Sequence, residues 1–385
     1  MSSEPESLGQ MMLAQSTRRM ARSDNNFPGD RMNPPAPREI VFITSPLEAE
    51  HAARIKSAAG DQAEIIYDPE LFPPTRYQGD HKGVDGFART PEQETRWRAH
   101  LARATILWDF PSGTPANGGG LALAPHVRWV QTTSSGVGGL VHALGLADSD
   151  LIVTTARGVH ADALAEFVMM CVLAHAKDLP RIIRGQRAKR WERYCCRDLV
   201  GATLLVVGAG QVGAQVGKAA RAFGLRVLAL VNRKDPARAT ELNADAIYGP
   251  AELHRALGQA DYVVLALPHT PQTERMIDAR AFAAMKLGVV LINIARGQVV
   301  DEEAMIANLR SGHVAFAGLD VAMVEPLPDS SPLWDLPNVL ISPHSASTAP
   351  SENAKIVAIF CRNLDAYLAG RPNDMTNALD KQRRY

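Results

Sequence analysis

Leu204-Leu-Val-Val-Gly208-Ala-Gly210-Gln211-Val212-Gly213 is the stretch that decides how this chain folds. A short apolar run leads straight into glycines spaced G-x-G-x-x-G, and a helix-compatible segment from Ala214 to Phe223 follows. That is the order a dinucleotide-binding turn requires. Gly208 makes the tight turn, Gly210 lets backbone approach a pyrophosphate, and Gly213 lets helix pack closely on strand. The helix N-terminus adds N–H donors and a positive dipole for the phosphates. Glycine turns serve many purposes, so the surroundings have to decide.

On the C-terminal side, short apolar runs recur between helical stretches. Thr203–Val207, Arg226–Val231, Tyr262–Ala266, Val289–Ile292, Val314–Gly318 and Val339–Ser342 are read as strands of one doubly wound sheet. On the N-terminal side a second alternating set begins at Glu39. Ile40–Ile43, Ala63–Tyr67, Thr105–Trp108, Val127–Gln131 and Leu151–Thr154 are read as strands, with polar helices at Glu48–Ala59 and Glu92–Ala104. Strand–helix alternation implies parallel sheets covered on both faces. Ala161 to Lys177 has helical apolar spacing and is expected to link the two units. The basic stretch Arg181 to Arg197 is expected to be less ordered, with its charge on a solvated face or a subunit contact. A last helix over Glu352–Ala369 could return to the first unit and make that domain discontinuous. Residues 1–38, rich in Ser, Arg, Met and Asn, read as a solvated tail without a targeting role.

Composition narrows the function. Lys plus Arg equals Asp plus Glu at 41 each, so no global basic field argues for nucleic acid. No apolar run approaches the roughly 20 residues of a membrane span. The four cysteines, Cys171, Cys195, Cys196 and Cys361, show no metal spacing and suit a reducing, cytoplasmic compartment. No metal site is expected.

The end of the second strand selects the dinucleotide. An NAD-binding unit carries an acid there to hold the adenosine ribose hydroxyls. This chain reads Val231-Asn232-Arg233-Lys234, with no acid before Asp235. A carboxylate would repel a ribose 2′-phosphate, whereas Arg and Lys attract one. NADP(H) is therefore expected to be preferred, with Arg233 as the main phosphate ligand, Asn232 and Lys234 assisting, and NAD(H) the other possibility.

Chemistry is carried by three clusters, each following a successive strand. Ile292-Asn-Ile-Ala295-Arg296-Gly297 supplies an arginine. Gly318-Leu-Asp320-Val with Glu325-Pro326 supplies carboxylates, and Ser342-Pro-His344 supplies a histidine. Ligands bind at the carboxyl edge of open parallel sheets, the edge that all three share with the glycine turn. Any one of these residues alone reads as an ordinary turn charge or a satisfied histidine, but all three following successive strands are hard to dismiss as such.

With these motifs in place, the chain resembles the D-isomer-specific 2-hydroxyacid dehydrogenase family, which includes the glyoxylate/hydroxypyruvate reductases. The resemblance covers roughly residues 39 to 385. It rests on the glycine turn, Leu267-Pro268 with Thr270-Pro271, and Asn293-x-Ala295-Arg296-Gly297. It extends to Gly318-Leu-Asp320-Val with Glu325-Pro326, Pro343-His344, Gln131-Thr-Thr-Ser-Ser135-Gly136-Val137 and Ala156-Arg-Gly158-Val-His160.

The resemblance implies two parallel-sheet α/β domains, Rossmann and flavodoxin-like, with a cleft between them. The substrate domain would take residues 39–160 and 346–385, and the dinucleotide domain residues 161–345. It implies that His344 donates and accepts the proton, that Glu325 orients it, and that Arg296 binds the 2-oxoacid carboxylate. Backbone N–H groups of Ser135, Gly136 and Val137 would hold that carboxylate from the other domain. Asp320, Pro268 and Ala295 would lie near the cofactor, together with Gln211 and Val212 of the turn. A small 2-oxoacid substrate and a homodimer are further implications. Trp334 is expected either to line the pocket or to pack beneath it. The alternatives are a dinucleotide-sensing corepressor on the same scaffold, or a relative acting on a substrate such as phosphite.

Overall fold

Near-continuous apolar runs such as Thr203–Val207 and Val289–Asn293 have no polar face to offer water, so they form strands buried on both sides. The computed structural model describes residues 38–383, apart from residues 114–118, 209 and 233. The chain builds two parallel sheets there, one of five strands and one of seven.

The first lobe runs β1 (Glu39–Ile43), α1 (Ala49–Ala59), β2 (Ala63–Ile66), α2 (Pro91–Arg103), β3 (Ile106–Trp108), β4 (Trp129–Gln131), α3 (Gly138–Ala143) and β5 (Ile152–Thr154). Its strand order, β2-β1-β3-β4-β5, is flavodoxin-like. Local chemistry sets the boundaries. At α2 the Thr90 hydroxyl accepts from Gln93 N while Gln93 Oε1 accepts from Thr90 N, and Pro91 stands at the first turn.

The second lobe begins with α4 (Ala161–Ala176), α5 (Leu179–Arg187), β6 (Thr203–Val207), α6 (Gln211–Ala222), β7 (Arg226–Leu230), α7 (Pro236–Glu241) and β8 (Ala246–Tyr248). It continues through α8 (Leu253–Leu257), β9 (Tyr262–Leu265), α9 (Ala279–Ala284), β10 (Val289–Asn293), α10 (Glu302–Ser311), β11 (Val314–Leu319) and β12 (Val339–Ile341). The order is β12-β11-β10-β9-β6-β7-β8. β6 pairs with β7 on one side and β9 on the other, so the winding reverses there. In an open parallel sheet that reversal opens the crevice where ligands bind.

The last helix, α11 (Glu352–Leu368), packs back onto the first lobe. Phe360 stacks on Trp129 with centroids 5.0 Å apart and meets Trp108 edge-on at 5.6 Å. All three side chains are fully buried, which makes this cluster the anchor of the helix. The chain beyond it follows the β5 edge. Leu379 N donates to Val153 O, and Asn377 Nδ2 donates to the Thr155 and Arg157 carbonyls.

Three expectations are corrected. The second sheet has seven strands where six were read, because β8 pairs with β7 at the sheet edge. Part of the basic stretch expected to be less ordered is α5, capped by Asp178, whose side chain accepts from Arg181 N, and with Pro180 in its first turn. Residues 1–37 of the expected tail lie outside the described residues. Arg38, which was read with the tail, instead donates to the Ala63 carbonyl at 3.0 Å.

Candidate active site

The glycine turn is built by close approach. Gly208 sits at φ 118, and a Cβ there would collide with the Ala266 carbonyl beyond β9. A Cβ on Gly213 would collide with Gly208 O. Only glycine lets this backbone lie against its neighbours. Gly210 caps α6 without a side chain, so the first-turn N–H groups, those of Gln211, Val212 and Gly213 among them, have no intrahelical partner. A Cβ on Gly210 would meet no described atom within 4 Å, and that open side in front of bare N–H donors fits the pyrophosphate of a dinucleotide. Pro268, exposed just past β9, lies across the switch point from the turn. Gln211 turns its side chain towards the other lobe, where a Cβ on Gly158 would collide with its Oε1.

At the end of β7, Val231 is buried and Asn232 is exposed. Lys234 forms an ion pair with Glu252, whose carboxyl is held low by hydrogen bonds from Gly249 N and from Lys234. Lys234 is thus already engaged. Arg233, the expected main phosphate ligand, lies outside the described residues.

Three strand ends converge at the carboxyl edge. Asp320 N donates to Asn293 O, joining the end of β11 to that of β10, and His344 N donates to Asp320 O, joining β12. The Asp320 side chain is 3% exposed, and burial pushes its pKa up. Its Oδ1 accepts from Ser342 Oγ at 2.7 Å and from the N–H groups of Ser345 and Ala346 at 2.9 Å each. Asp320 therefore faces inward and holds the loop that carries His344.

His344 Nδ1 lies 2.7 Å from Glu325 Oε2, with both side chains partly open to solvent. Glu325 Oε1 accepts from Ala322 N at 3.1 Å, so both carboxylate oxygens are fixed. A carboxylate only accepts, so the proton between them belongs to Nδ1 and Nε2 is left for a reacting group.

Arg296 is half-buried just past β10. Its Nη1 donates to Ala295 O at 2.6 Å, and its Nη2 lies so close to Gly136 that a Cβ there would collide with it. The structure thus brings Arg296 of one lobe onto the Ser135-Gly136-Val137 loop of the other. A guanidinium fork beside an open loop can hold a carboxylate in two hydrogen bonds. Trp334 is exposed and donates to Pro328 O at 3.0 Å.

Sequence reading passed over two supporting groups. Buried Asn293 shapes the arginine turn, its Oδ1 accepting from Ala295 N and its Nδ2 donating to Arg296 O. Its place in the Asn293-x-Ala295-Arg296 motif was the available signal. Glu352, which binds His160, gave none, because the two stand 192 residues apart. A recess of about 460 Å³ beside Glu166, Met169, Phe223 and Lys355 includes none of Arg296, Glu325 or His344, so it is not where these groups meet a ligand. Among the described residues no cluster of three His, Cys, Asp or Glu side chains could hold a metal, and no helix is long and apolar enough to cross a membrane.

A Rossmann lobe joined to a flavodoxin-like lobe, with Arg, Glu and His at the shared cleft, defines a dinucleotide-binding protein of the two-lobed dehydrogenase class. Residues 169–346 match the D-isomer specific 2-hydroxyacid dehydrogenase NAD-binding domain. A glyoxylate reductase of Thermococcus gammatolerans is 33% identical over 246 residues, 60% of this chain and 72% of that protein. A D-3-phosphoglycerate dehydrogenase of Mycobacterium leprae is 34% identical over 279 residues, 68% of this chain. The match covers 50% of that dehydrogenase, so the chain spans about half its length. A D-isomer specific 2-hydroxyacid dehydrogenase of Xanthobacter autotrophicus, solved with NADPH and MES, is 28% identical with a TM-score of 0.69. That likeness covers 90% of this chain and 99% of the other. The chain belongs to the D-isomer-specific 2-hydroxyacid dehydrogenase family.

Proposed function

We propose that the protein reduces small 2-oxoacids, with glyoxylate and hydroxypyruvate as the first candidates, to their 2-hydroxyacids. The observation that carries this reading is the seating of Arg296 against Gly136, on the sheet edge that also bears the His344–Glu325 pair. Gly208, Gly210 and Gly213 would hold the dinucleotide's pyrophosphate, with Pro268, Ala295 and Asp320 nearer its reactive end. When bound, the nicotinamide supplies the hydride that reduces C2.

Everything else falls to side chains of this chain. Arg296 pairs with the substrate carboxylate and places positive charge beside the carbonyl oxygen, where negative charge grows. N–H groups of Ser135, Gly136 and Val137 hold the carboxylate from the facing lobe. His344 passes the proton on Nε2 to the developing alkoxide, and Glu325 stabilises the imidazolium and keeps the ring in plane. Two lobes closing on the substrate exclude water from that proton transfer.

NADP(H) is the preferred cofactor in this reading. The strand end Val231-Asn232-Arg233-Lys234 lacks the acid that would repel a 2′-phosphate, and Arg233 supplies the main contact. A homodimer in the cytoplasm belongs to the same reading. Leu179, Ile182 and Ile183 of α5 are exposed, and Trp191 is 98% exposed, an apolar surface that a second copy would cover. The test is a steady-state panel of glyoxylate, hydroxypyruvate and pyruvate against NADPH and NADH. Turnover with a kcat/KM ratio favouring NADPH supports the reading. Tight dinucleotide binding with no turnover on any 2-oxoacid would replace it with a sensor.

A further inference from the structure

Glu352 is the first residue of α11, and its side chain is only 9% exposed. Its Oε1 lies 3.1 Å from His160 Nε2, and His81 Nε2 stands 3.4 Å from the same oxygen. At the far side of the His160 ring, Nδ1 is 3.4 Å from Ser135 Oγ. One buried carboxylate therefore reaches the substrate loop through a single imidazole. Burial opposes ionisation of Glu352, but the hydrogen bond from His160 and the nearby His81 imidazole hold its carboxyl down at about 2. It is a carboxylate across any working pH.

That charge fixes a direction. A carboxylate can only accept, so Nε2 of His160 carries a proton, and the ring's other nitrogen, Nδ1, is the atom presented to the Ser135 hydroxyl. The link also spans the fold. His160 precedes α4, which packs on the seven-stranded sheet, while α11 packs on the five-stranded one. Ser135 adjoins Gly136, the residue against which Arg296 rests.

We infer that His160, held by Glu352, is a positioning residue that fixes the Ser135 hydroxyl and with it the 135–137 loop for the substrate carboxylate. The inference rests on the proposed reduction, since it assigns that loop to a 2-oxoacid. His160 touches neither substrate nor cofactor and acts only through Ser135.

The test pairs calorimetric binding of oxamate, a non-reacting 2-oxoacid analogue, to the protein saturated with NADPH with steady-state kinetics. His160→Ala is expected to weaken oxamate and raise the 2-oxoacid KM by about 3- to 10-fold, the effect of one neutral hydrogen bond. The kcat and the NADPH affinity stay within about twofold of the unmodified protein. His160→Asn, whose amide can donate to Glu352 and accept from Ser135, restores most of the loss. In a Ser135→Ala background, His160→Ala has no further effect, because the two act as one unit. Undiminished oxamate binding in His160→Ala, an equal loss in the Ser135→Ala background, or no rescue by asparagine would each overturn the inference. Wild-type protein that neither binds oxamate nor turns over any 2-oxoacid removes the reading of the whole site, and the inference with it.

Discussion

His344 Nδ1 and Glu325 Oε2 face each other across 2.7 Å, one from the loop after β12 and the other from the loop after β11. The pair fixes which nitrogen is free, and that nitrogen has to be the proton donor. His344→Ala is expected to lower kcat by about 10²–10⁴-fold, the range for losing a general acid, with little change in dinucleotide affinity. Glu325→Gln keeps a hydrogen bond but loses the charge that stabilises an imidazolium, so a smaller loss is expected, confined to kcat. Stopped-flow hydride transfer together with cofactor binding checks both. Normal turnover in His344→Ala would remove the assignment.

Arg296 and Gly136 are set so closely that the facing lobe has room for a hydrogen and no more. Gly136→Ala pushes the methyl into the end of a flexible side chain, so the arginine moves and the fold survives. The 2-oxoacid KM should rise about tenfold or more, while stability to urea changes by less than about 1 kcal/mol, as for a substitution outside the core. Arg296→Lys is expected to be nearly as damaging, because an ammonium cannot reproduce the two-point fork. If Gly136→Ala leaves KM unchanged, the carboxylate does not bind between these residues.

How far the sequence could be read depended on whether the deciding interactions were local. The strands were legible because runs such as Val289–Asn293 are apolar throughout, and their carboxyl ends placed Arg296, Asp320 and His344 on one edge. β8 escaped because Ala246-Ile-Tyr248 is three residues long, half-buried at a sheet edge, and carries no pattern of its own. α5 escaped because its charges hid a cap, Asp178 followed by Pro180, and apolar Leu179, Ile182 and Ile183 at helical spacing. α6 begins at Gln211, three residues before the segment read as helix, because the second half of the glycine motif is its first turn. The Glu352–His160 contact could not be read at all. It exists only because α11 returns to the first lobe.

Asp320 holds three donors on one oxygen in a buried setting, which makes its two natural substitutes behave very differently. Asp320→Ala leaves the Ser342 hydroxyl and two backbone N–H groups without an acceptor, a cost of about 2–4 kcal/mol. Asp320→Asn keeps an oxygen for the same donors and removes the charge that burial disfavours, so it should cost less than about 1 kcal/mol. Urea unfolding of both variants decides. Equal losses would mean that the charge itself, and not the acceptor, holds the His344 loop.

Lys234 is paired with Glu252, so its contribution to a 2′-phosphate is discounted before the cofactor arrives. Arg233→Ala is therefore expected to weaken NADPH by about tenfold or more and leave NADH nearly unchanged, since a charge-assisted bond to the phosphate is lost. Lys234→Ala should cost NADPH less than about threefold. Glu252→Gln releases the ammonium and should tighten NADPH slightly. Fluorescence titration of each variant with both dinucleotides reads these ratios. Arg233→Ala with equal losses on NADH and NADPH would show that the arginine does not discriminate between them.

Glu352 links stability to acid. Its carboxyl titrates at about 2 in the folded chain, against an ordinary value of 4.5. A depressed folded value means that the unfolded chain takes up the proton first as pH falls. The stabilisation is therefore complete above about pH 4.5 and drains away between there and pH 2, amounting to about 3 kcal/mol. His160 is its hydrogen-bond partner, and His81 Nε2 stands 3.4 Å from the same oxygen with neither of its ring nitrogens hydrogen-bonded among the described residues, so that ring adds charge rather than a hydrogen bond. Glu352→Gln should lose this component at pH 6 and show a shallower fall in urea stability from pH 4.5 to 2.5 than the unmodified protein. Parallel curves over that interval would show that the two histidines do not hold the carboxylate, and the positioning of Ser135 would lose its support at the same stroke.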